Sequence, residues 1–127
     1  LYAAQRSDGR MVSAAFDYGS FVCQFETGVD RIARFDAYLE VSTREEIIRV
    51  DYDTPYIRHL PAELTVTRGR EPAGVSVERS FTTRNDSFVA EWRSFHKAIE
   101  TGDTPKTSIA DAREDLVLYK DMLALMT

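Results

Sequence analysis

The hydrophobic pattern of this chain changes period once, and that change limits the folds available to it. Between residues 10 and 81, apolar and polar side chains alternate along short segments, as in β-strands with one buried face. From residue 88 onward, apolar residues recur every three or four positions, as on one side of an α-helix. Strands that come first, helices that come last and links of hairpin length predict an α+β fold.

The alternation predicts six strands, at residues 12–18, 21–25, 35–41, 47–52, 64–66 and 75–81. Gly19 and the segment Thr27–Asp30 provide turns between the first three strands. Ser42–Glu45 forms a tight link that contains no glycine. Residues 53–61 contain two prolines, each of which removes a ladder donor, so we expect a connecting loop or a sheet edge there.

Two amphipathic helices are predicted near the end of the chain, joined by the hinge Thr101–Ser108. Asn85–Asp86 can accept hydrogen bonds from the first turn of the first helix, and Gly102 is a typical stop. Ser108 and Asp111 form the S-x-x-D capping pattern that opens the second helix. The first helix carries an apolar stripe of Phe88, Trp92, Phe95 and Ile99. The second carries Ile109, Ala112, Leu116, Tyr119, Leu123 and Met126 on one side, widened by Leu118, Met122 and Leu125.

We expect both helices to pack on one face of an open antiparallel or mixed sheet of about six strands. Six strands at ~4.8 Å spacing span nearly 30 Å, whereas two helices cover roughly 20 Å, so the opposite face stays uncovered. Its apolar, aromatic and arginine side chains are more typical of a protein interface than of a wetted surface, although scattered surface hydrophobic residues are the alternative. The interface candidates are Val22, Gln24, Tyr38, Ile47 and Arg49, with Met11 beside them.

Composition and charge argue against several classes of protein. The chain has 127 residues, enough for a single domain, 1–127, with a real core. A net charge of −5 provides no basic face for nucleic acid, and no apolar run approaches the ~20 residues of a membrane span. The single Cys23 alternates with Phe21 and Phe25, which predicts a buried, unreactive thiol in a reducing, cytoplasmic compartment. A first residue other than Met suggests a segment of a longer polypeptide, or disordered residues left out before it.

The sequence contains no recognisable catalytic, cofactor-binding or metal-binding constellation. Its six glycines form neither G-x-G-x-x-G nor a phosphate loop. Cys23, His59 and His96 are too far apart in the sequence for metal-ligand spacing, and His96 is expected to pack beside the helix stripe. The ligand-loop candidates are Tyr56, Arg58 and His59, because they stand together in the proline-bounded loop and loops often carry ligand contacts.

The run from Ser87 to Ala112 resembles the closing signature "F..aI..G..P..s..da" of the glucose-fructose oxidoreductase and inositol dehydrogenase family (Gfo/Idh/MocA). Phe35 to Pro55 is similar to that family's strand, turn, strand and proline, with Ser42–Glu45 in place of the glycine-bearing turn. The resemblance covers most of the chain from about Phe16 onward. It consists of packing residues and not of catalytic ones.

This resemblance implies the carboxyl-terminal α/β domain of an enzyme whose amino-terminal Rossmann domain, absent from this segment, binds NAD or NADP. In that family, the carboxyl-terminal sheet helps to form the substrate cleft and commonly a subunit interface. The family's E-K-P catalytic lysine has no counterpart, since Lys97, Lys106 and Lys120 lack that context. The family's histidine and aspartate also have no matching position, so the segment alone is expected to be inactive and to hold no cofactor or metal.

Two hypotheses from different classes follow. The first is a substrate-binding and oligomerisation domain of an NAD(P)-dependent oxidoreductase that acts on a sugar or polyol-like alcohol. Its expected partners are its own Rossmann domain and further copies of itself, bound through the open sheet face. The second is a stand-alone binding or dimerisation module with no catalytic role, because a fold does not determine a function. An enzyme with a pocket under Tyr56, Arg58 and His59 is a third possibility.

Overall fold

The structure is a computed structural model that describes residues 2–5, 10–29, 35–70 and 72–126, with the backbone alone at residues 4, 5 and 70. The described chain falls into two compact units, which divide it after residues 33 and 103. Each unit contains one antiparallel sheet and one helix. The strands are β1 (Tyr2–Gln5), β2 (Met11–Asp17), β3 (Val22–Gly28), β4 (Ala37–Ser42), β5 (Glu46–Tyr52), β6 (Glu63–Arg70) and β7 (Gly74–Phe81). The helices are α1 (Ser87–Thr101) and α2 (Ile109–Ala124).

The first unit contains a three-stranded sheet in the order β1-β2-β3, together with α2. Its β2–β3 connection is a tight hairpin in which Tyr18 N–H donates to Phe21 O at 3.0 Å. Gly19 adopts a φ of 80°, a conformation that costs glycine nothing because it has no Cβ. Asp17 Oδ1 accepts from Gly19 N–H at 2.8 Å and holds the turn.

A small core lies between one face of this sheet and α2. Ala3 and Ala14 are directly opposite each other on β1 and β2, and Met122 of α2 packs against them. All three side chains are buried, at 5–7% exposure. Because alanine occupies little volume, the long unbranched methionine can approach the two strands closely. Half-buried hydrophobic residues around this core are Val12, Phe16, Phe25 and Met126.

The second unit contains a four-stranded antiparallel sheet in the order β4-β5-β6-β7, together with α1. Thr43 explains how β4 and β5 join tightly without a glycine, as the sequence predicts. Its N–H donates to Glu46 O at 2.9 Å, and its Oγ1 accepts from the N–H groups of Glu45 and Glu46 at 3.2 and 3.0 Å. The threonine side chain thus satisfies the turn amides that would otherwise need water.

The register of the second sheet concentrates aliphatic side chains of β4, β5 and β6 on one face and most of their charged side chains on the other. On one face, β4, β5 and β6 carry two adjacent rows of three aliphatic side chains. We call these six residues the apolar block: Leu39, Val50 and Leu64 in one row, Val41, Ile48 and Val66 in the next. The opposite face, called the polar face, carries the charged and hydroxyl side chains of β4–β7 but also apolar side chains along β7. Its residues include Tyr38, Glu40, Ile47, Arg49, Asp51, Glu63, Thr65, Thr67, Val75, Val77, Arg79 and Phe81.

The helix ends follow the predicted capping signals. Asp86 Oδ1 accepts from Phe88 N–H at 3.0 Å, which satisfies an amide of the first turn of α1. Gly102 ends α1 in the left-handed region, at a φ of 72°. Ser108 Oγ accepts from Asp111 N–H at 3.1 Å at the start of α2.

The predicted α+β fold is confirmed, but the single sheet of about six strands is wrong. Seven strands form separate sheets of three and four strands, and the two helices belong to different units. Alternation within a strand identifies its two faces but not its neighbouring strand, so a break between sheets has no signature in the pattern. The unpredicted strand is β1, whose four residues include two alanines and are too few to show alternation.

The packing predicted for the helix stripes is wrong for α1 and is confirmed only in part for α2. No residue of α1 is buried, and its stripe residues are 43–69% exposed. On α2, Met122 is buried and Leu118 is half-buried, whereas Ile109, at the head of the predicted side, is 91% exposed. The buried side of α2 therefore lies at the edge of the predicted side that Leu118 and Met122 widen, and not at its centre. The alanine-lined sheet accepts one long side chain and not a broad stripe.

Cys23 is exposed, which corrects the buried thiol predicted from its neighbours. It lies opposite Phe16 on β3, an edge strand of the three-stranded sheet. Met122 covers the alanines of β1 and β2, and Phe25 packs beside that core. Cys23 is one position pair nearer the hairpin than Phe25 and on the outer strand, so alternation with Phe21 and Phe25 does not ensure its burial.

Candidate functional site

The loop over residues 53–62 connects β5 to β6 and carries the ligand-loop candidates. It opens with a β-turn in which Ile57 N–H donates to Thr54 O at 3.3 Å. Pro55 occupies the second position of this turn, which its fixed φ favours. Asp53 Oδ1 accepts from Thr54 N–H at 2.7 Å and fixes the entry to the loop. The prediction of a connecting loop between the two prolines is confirmed.

Backbone contacts tie this loop to the segment 82–86, which leads from β7 into α1. Ala62 N–H donates to Thr82 Oγ1 at 2.9 Å, and Thr82 N–H donates to Ala62 O at 3.0 Å. Further along, His59 Nδ1 lies 2.9 Å from Arg84 O. The loop and the segment before α1 therefore form one connected surface.

Side chains extend this connection to the start of α1. Arg58 Nε lies 3.4 Å from Asp86 Oδ2, and the Asp86 carboxylate also caps α1. Tyr56 and Phe88 place their ring centroids 6.3 Å apart at an interplanar angle of 42°. Asp86 is thus shared between the loop and the helix, and its side chain is only 11% exposed.

His59 is held in a conformation that few residues adopt. Its φ of 63° lies in the left-handed region, where histidine is tolerated better than branched residues. A carbonyl oxygen can only accept, so the contact with Arg84 O requires Nδ1 to carry the proton. In the neutral imidazole, Nε2 is then an acceptor, and it has no hydrogen-bond partner among the described residues. The residue therefore offers a lone pair at a fixed position.

A cleft of about 380 Å³ opens between this loop and the segment that follows β7. Its lining mixes apolar side chains with hydroxyl, amide, carboxylate, guanidinium and imidazole groups. The lining residues are Tyr52, Asp53, Thr54, Pro55, Ile57, Arg58, His59, Leu60, Ala62, Thr82, Asn85 and Ser87. The cleft lies wholly within the second unit.

The charges in this lining balance. Asp53 supplies one negative charge and Arg58 one positive charge, and part of the arginine is engaged by Asp86. His59 and Asn85 add further hydrogen-bonding groups. Such a surface suits an uncharged ligand with several hydroxyl groups better than an anion, which would need surplus positive charge.

Of the three ligand-loop candidates, the structure brings Arg58 and His59 into the cleft lining, whereas Tyr56 is 85% exposed and lies outside it. The sequence reasoning missed the contribution of Thr82 and Asn85, which come from the far side of the cleft. His59 and Arg84 are 25 residues apart, so no local spacing reveals that these two segments meet. Among the cleft residues that were not candidates, Asp53 alone had a signal in the sequence, because it stands next to a proline turn.

A charged cluster lies on the polar face of the second sheet. Arg49 Nε and Nη2 donate to the Asp51 carboxylate at 2.8–3.0 Å, and Arg49 Nη1 lies 3.5 Å from Glu40 Oε2. The Arg49 guanidinium carbon lies 3.8 Å from the centroid of the Tyr38 ring. The hydrogen bond to Asp51 raises the pKa of Arg49, and the same bond lowers the pKa of Asp51 below its ordinary value of 3.8.

The interface candidates fall into two sets. Tyr38, Ile47 and Arg49 share the polar face of the four-stranded sheet. Val22 and Gln24, with Met11 beside them, lie on the three-stranded sheet, on the face turned away from Ala14 and Met122. They cannot form one continuous sheet face, because the two sheets are separate.

The side chains of α1 do not form the predicted helix layer. His96 is 72% exposed and its Nδ1 lies 3.3 Å from Glu100 Oε2, so its expected packing role is wrong. Trp92 and Phe95 contact each other edge to face at 6.2 Å, and both stay exposed. This helix presents its apolar stripe to solvent in the described part of the chain.

Comparison with known proteins finds no relative: no family model, no curated protein and no solved structure matches the chain. Among the described residues, no group of three or more histidine, cysteine, aspartate or glutamate side chains is placed to hold a metal ion. No helix in the same residues is long and apolar enough to cross a membrane. Function is therefore argued from the cleft and the exposed surfaces alone.

Proposed function

We propose that this chain is the substrate-binding and oligomerisation domain of an NAD(P)-dependent oxidoreductase that acts on a sugar or polyol-like alcohol. The observation that carries the proposal is the cleft beside His59, with balanced charge and a lining that mixes apolar and hydrogen-bonding side chains. The apolar edges of a sugar ring suit Ile57 and Leu60, and its hydroxyls suit Asp53 and Asn85. The similarity of residues 87–112 to the family signature supports the same assignment.

The chemistry of hydride transfer is assigned to another part of the protein. NAD or NADP would be bound by an amino-terminal Rossmann domain, and this domain would orient the alcohol. The single cysteine favours a reducing compartment, so we place the enzyme in the cytoplasm. The domain alone is expected to be inactive and to bind neither NADH nor NADPH.

The test uses the full-length polypeptide that contains this chain, assayed for NAD⁺ and NADP⁺ reduction with a panel of sugars and polyols. Asn85→Ala removes a hydrogen-bonding group from the cleft and is expected to raise KM for the alcohol roughly tenfold, with KM for the nucleotide unchanged. His96→Ala is the matched control, since it removes an exposed side chain outside the cleft. Equal effects of both variants, or no turnover with any alcohol, would contradict the proposal.

A second candidate, a stand-alone binding or dimerisation module, is favoured by the exposed apolar stripe of α1. The two are separated by the coding sequence upstream of residue 1. A strand, G-x-G-x-x-G and a helix there would support the oxidoreductase, because that pattern cradles a dinucleotide. A start codon immediately upstream would support the module. Stoichiometric binding of NADH by the 127-residue chain, seen by fluorescence titration, would contradict both.

A further inference from the structure

The α1 stripe and the apolar block are two uncovered apolar surfaces within the second unit. The stripe exposes Phe88 at 43%, Trp92 at 69%, Phe95 at 48% and Ile99 at 66%. In the block, Leu39 is 61% and Val41 47% exposed, and the other four members are half-buried. Exposed apolar patches of this kind usually mark an interaction surface.

The dimensions of the two surfaces match. From Phe88 to Ile99 the stripe is roughly 16 Å long, at 1.5 Å per residue, and a helix is about 10 Å wide. Three strands ~4.8 Å apart and two rows of side chains make the apolar block roughly 14 Å in each direction. The block ends at an ion cluster in which Arg68 contacts Glu46 and Glu78, at 3.0 and 3.3 Å. One helix stripe therefore fits one block.

The segment that leads into α1 is tied to the 53–62 loop, and α1 buries no side chain of its own. The segment 82–86 is fixed to the 53–62 loop through Thr82 and Ala62, His59 and Arg84 O, and Arg58 and Asp86. No residue of α1 is buried while these contacts are made. The chain thus provides both halves of a helix-on-sheet contact without joining them.

We propose that two copies of this chain form a two-fold dimer in which α1 of each copy covers the apolar block of the other. The inference rests on the oligomerisation part of the proposed function and names its surface and partner. Exchange of an identical element between protomers needs no new surface, because each copy supplies what the other lacks. A closed two-fold arrangement also follows, since the same contact is made twice.

The area to be buried agrees with reciprocal exchange. Aromatic side chains have 150–250 Å² to bury, so the three aromatic residues of the stripe still expose roughly 240–400 Å². One stripe alone falls short of the ~800 Å² per partner of a standard interface. Each copy in the exchanged dimer contributes its stripe and its block together, which brings the total near that size.

The polar face also exposes apolar side chains, Val75, Val77 and Phe81, but only along the edge strand β7, and its centre is occupied by the Arg49 cluster. The strongest donor there, Arg49, already makes a two-pronged contact with Asp51, reaches Glu40 and stacks on Tyr38. A partner would have to replace these interactions and not simply add to them. The aliphatic side chains of the apolar block make no polar interactions that a partner would have to replace.

Chemical cross-linking between two variants tests the exchange directly. Both carry Cys23→Ser, which removes the exposed native thiol. One also carries Phe95→Cys on the stripe, the other Val66→Cys in the block, and they are mixed and treated with a short bis-maleimide. The expected product is a cross-linked pair containing one of each variant. Cross-linked pairs formed only by identical Val66→Cys chains would overturn the proposal, because they would show two blocks facing each other.

Light scattering across a concentration series distinguishes the exchanged dimer from oligomerisation through another surface, which the proposed function also allows. Trp92→Asp is expected to raise the dimer dissociation constant at least about thirtyfold, as expected for an interface hot spot. Arg93→Ala, the next residue on the outer side of α1, and Tyr38→Asp on the polar face should change it less than threefold. Circular dichroism is used to confirm that each variant folds. Because the substituted positions are exposed, we expect the fold to stay intact.

The outcomes are distinct. A dimer lost with Tyr38→Asp and kept with Trp92→Asp overturns the exchange but supports oligomerisation. A monomer at every concentration overturns both, and leaves the cleft assignment to its own kinetic test. A dimer lost only with Trp92→Asp supports the exchange.

Discussion

The two helices of this chain differ in how much of their apolar surface they bury. α2 buries Met122 against Ala3 and Ala14, whereas α1 buries no side chain at all. Both helices are amphipathic in sequence, and α1 has the more aromatic stripe. On α2 the contact is made where two alanines leave room for a methionine close to the strands, whereas α1 leaves the branched residues of its own sheet uncovered. An amphipathic stripe shows that a helix needs a partner surface and does not identify which one.

The second unit, whose helix buries no side chain, is stabilised instead by polar contacts. Arg49 and Arg68 each pair with two carboxylates, and Arg58 with Asp86. Exposed pairs of this kind contribute about 0–1 kcal/mol each, so they hold a sheet together less firmly than burial does. We therefore expect the first unit to depend on a few apolar contacts and the second on many weak polar ones.

The largest effect is expected for Met122→Ala. The change removes the buried side chain that joins α2 to β1 and β2, and should lower the free energy of unfolding by about 2 kcal/mol, the low end for a buried methionine because the core is small. Urea denaturation measures the loss in the free energy of unfolding. Hydrogen exchange of the β1 and β2 amides shows whether these strands are affected.

The matched controls are Leu123→Ala on the same helix and Trp92→Ala on α1, both exposed. Each should cost less than about 0.5 kcal/mol when measured below the concentration of self-association. A loss at Trp92 equal to that at Met122 would show that α1 is packed as firmly as α2, and the comparison would fail.

A second prediction concerns Asp86, which serves both the loop and α1. Asp86→Ala should lower the free energy of unfolding by about 1.5 kcal/mol, because it removes the helix cap and the partner of Arg58 together. Asp86→Asn keeps a good cap and loses only the charge, so we expect a small change. Ser108→Ala, which removes the cap of α2 alone, should cost about 1 kcal/mol. An Asn variant as unstable as the Ala variant would place the effect in the ion pair.

The caps and turns were predictable because they depend on residues next to each other. Asp86, Gly102 and Ser108 occupy the positions that their sequence context indicates. Thr43 replaces a glycine in a hairpin by accepting two turn amides, which the sequence allows but does not demand. Local chemistry thus fixed the ends of most elements.

Contacts between distant residues were not predictable in this way. Strand alternation could not show that β3 and β4 belong to different sheets, since each strand reports only its own two faces. The cleft forms because His59 reaches Arg84 O across 25 residues, and no periodicity records that contact. The prolines identified the loop, and Asn85 remained hidden in a segment that reads only as a helix start.

A third prediction tests the strained backbone at His59. His59→Gly relieves the left-handed φ of 63° but loses the hydrogen bond to Arg84 O, whereas His59→Ala loses the bond and keeps the strain. The Gly variant should therefore be more stable than the Ala variant by about 1 kcal/mol. Thermal unfolding of both proteins at one protein concentration measures the difference. If the Ala variant proves the more stable, residue 59 does not hold a left-handed conformation in solution.

The smallest effect is expected from the acid dependence of the Arg49 cluster. The hydrogen bond from Arg49 lowers the pKa of Asp51 below 3.8 in the folded chain. A carboxylate with a lowered pKa stabilises the fold at pH values above its unfolded pKa, and this contribution is lost as the pH falls through the folded pKa. The stability difference between the wild type and Asp51→Asn should therefore be constant from pH 7 to about pH 5 and shrink below 3.8. Glu45→Gln is the control, because no ion pair of Glu45 occurs among the described residues, and its difference from wild type should not follow this profile.

Since the cluster lies at the surface, salt should reduce the stability difference between the wild type and Asp51→Asn. A difference that persists unchanged at 1 M salt would show that Asp51 is shielded from solvent by a contact with a partner.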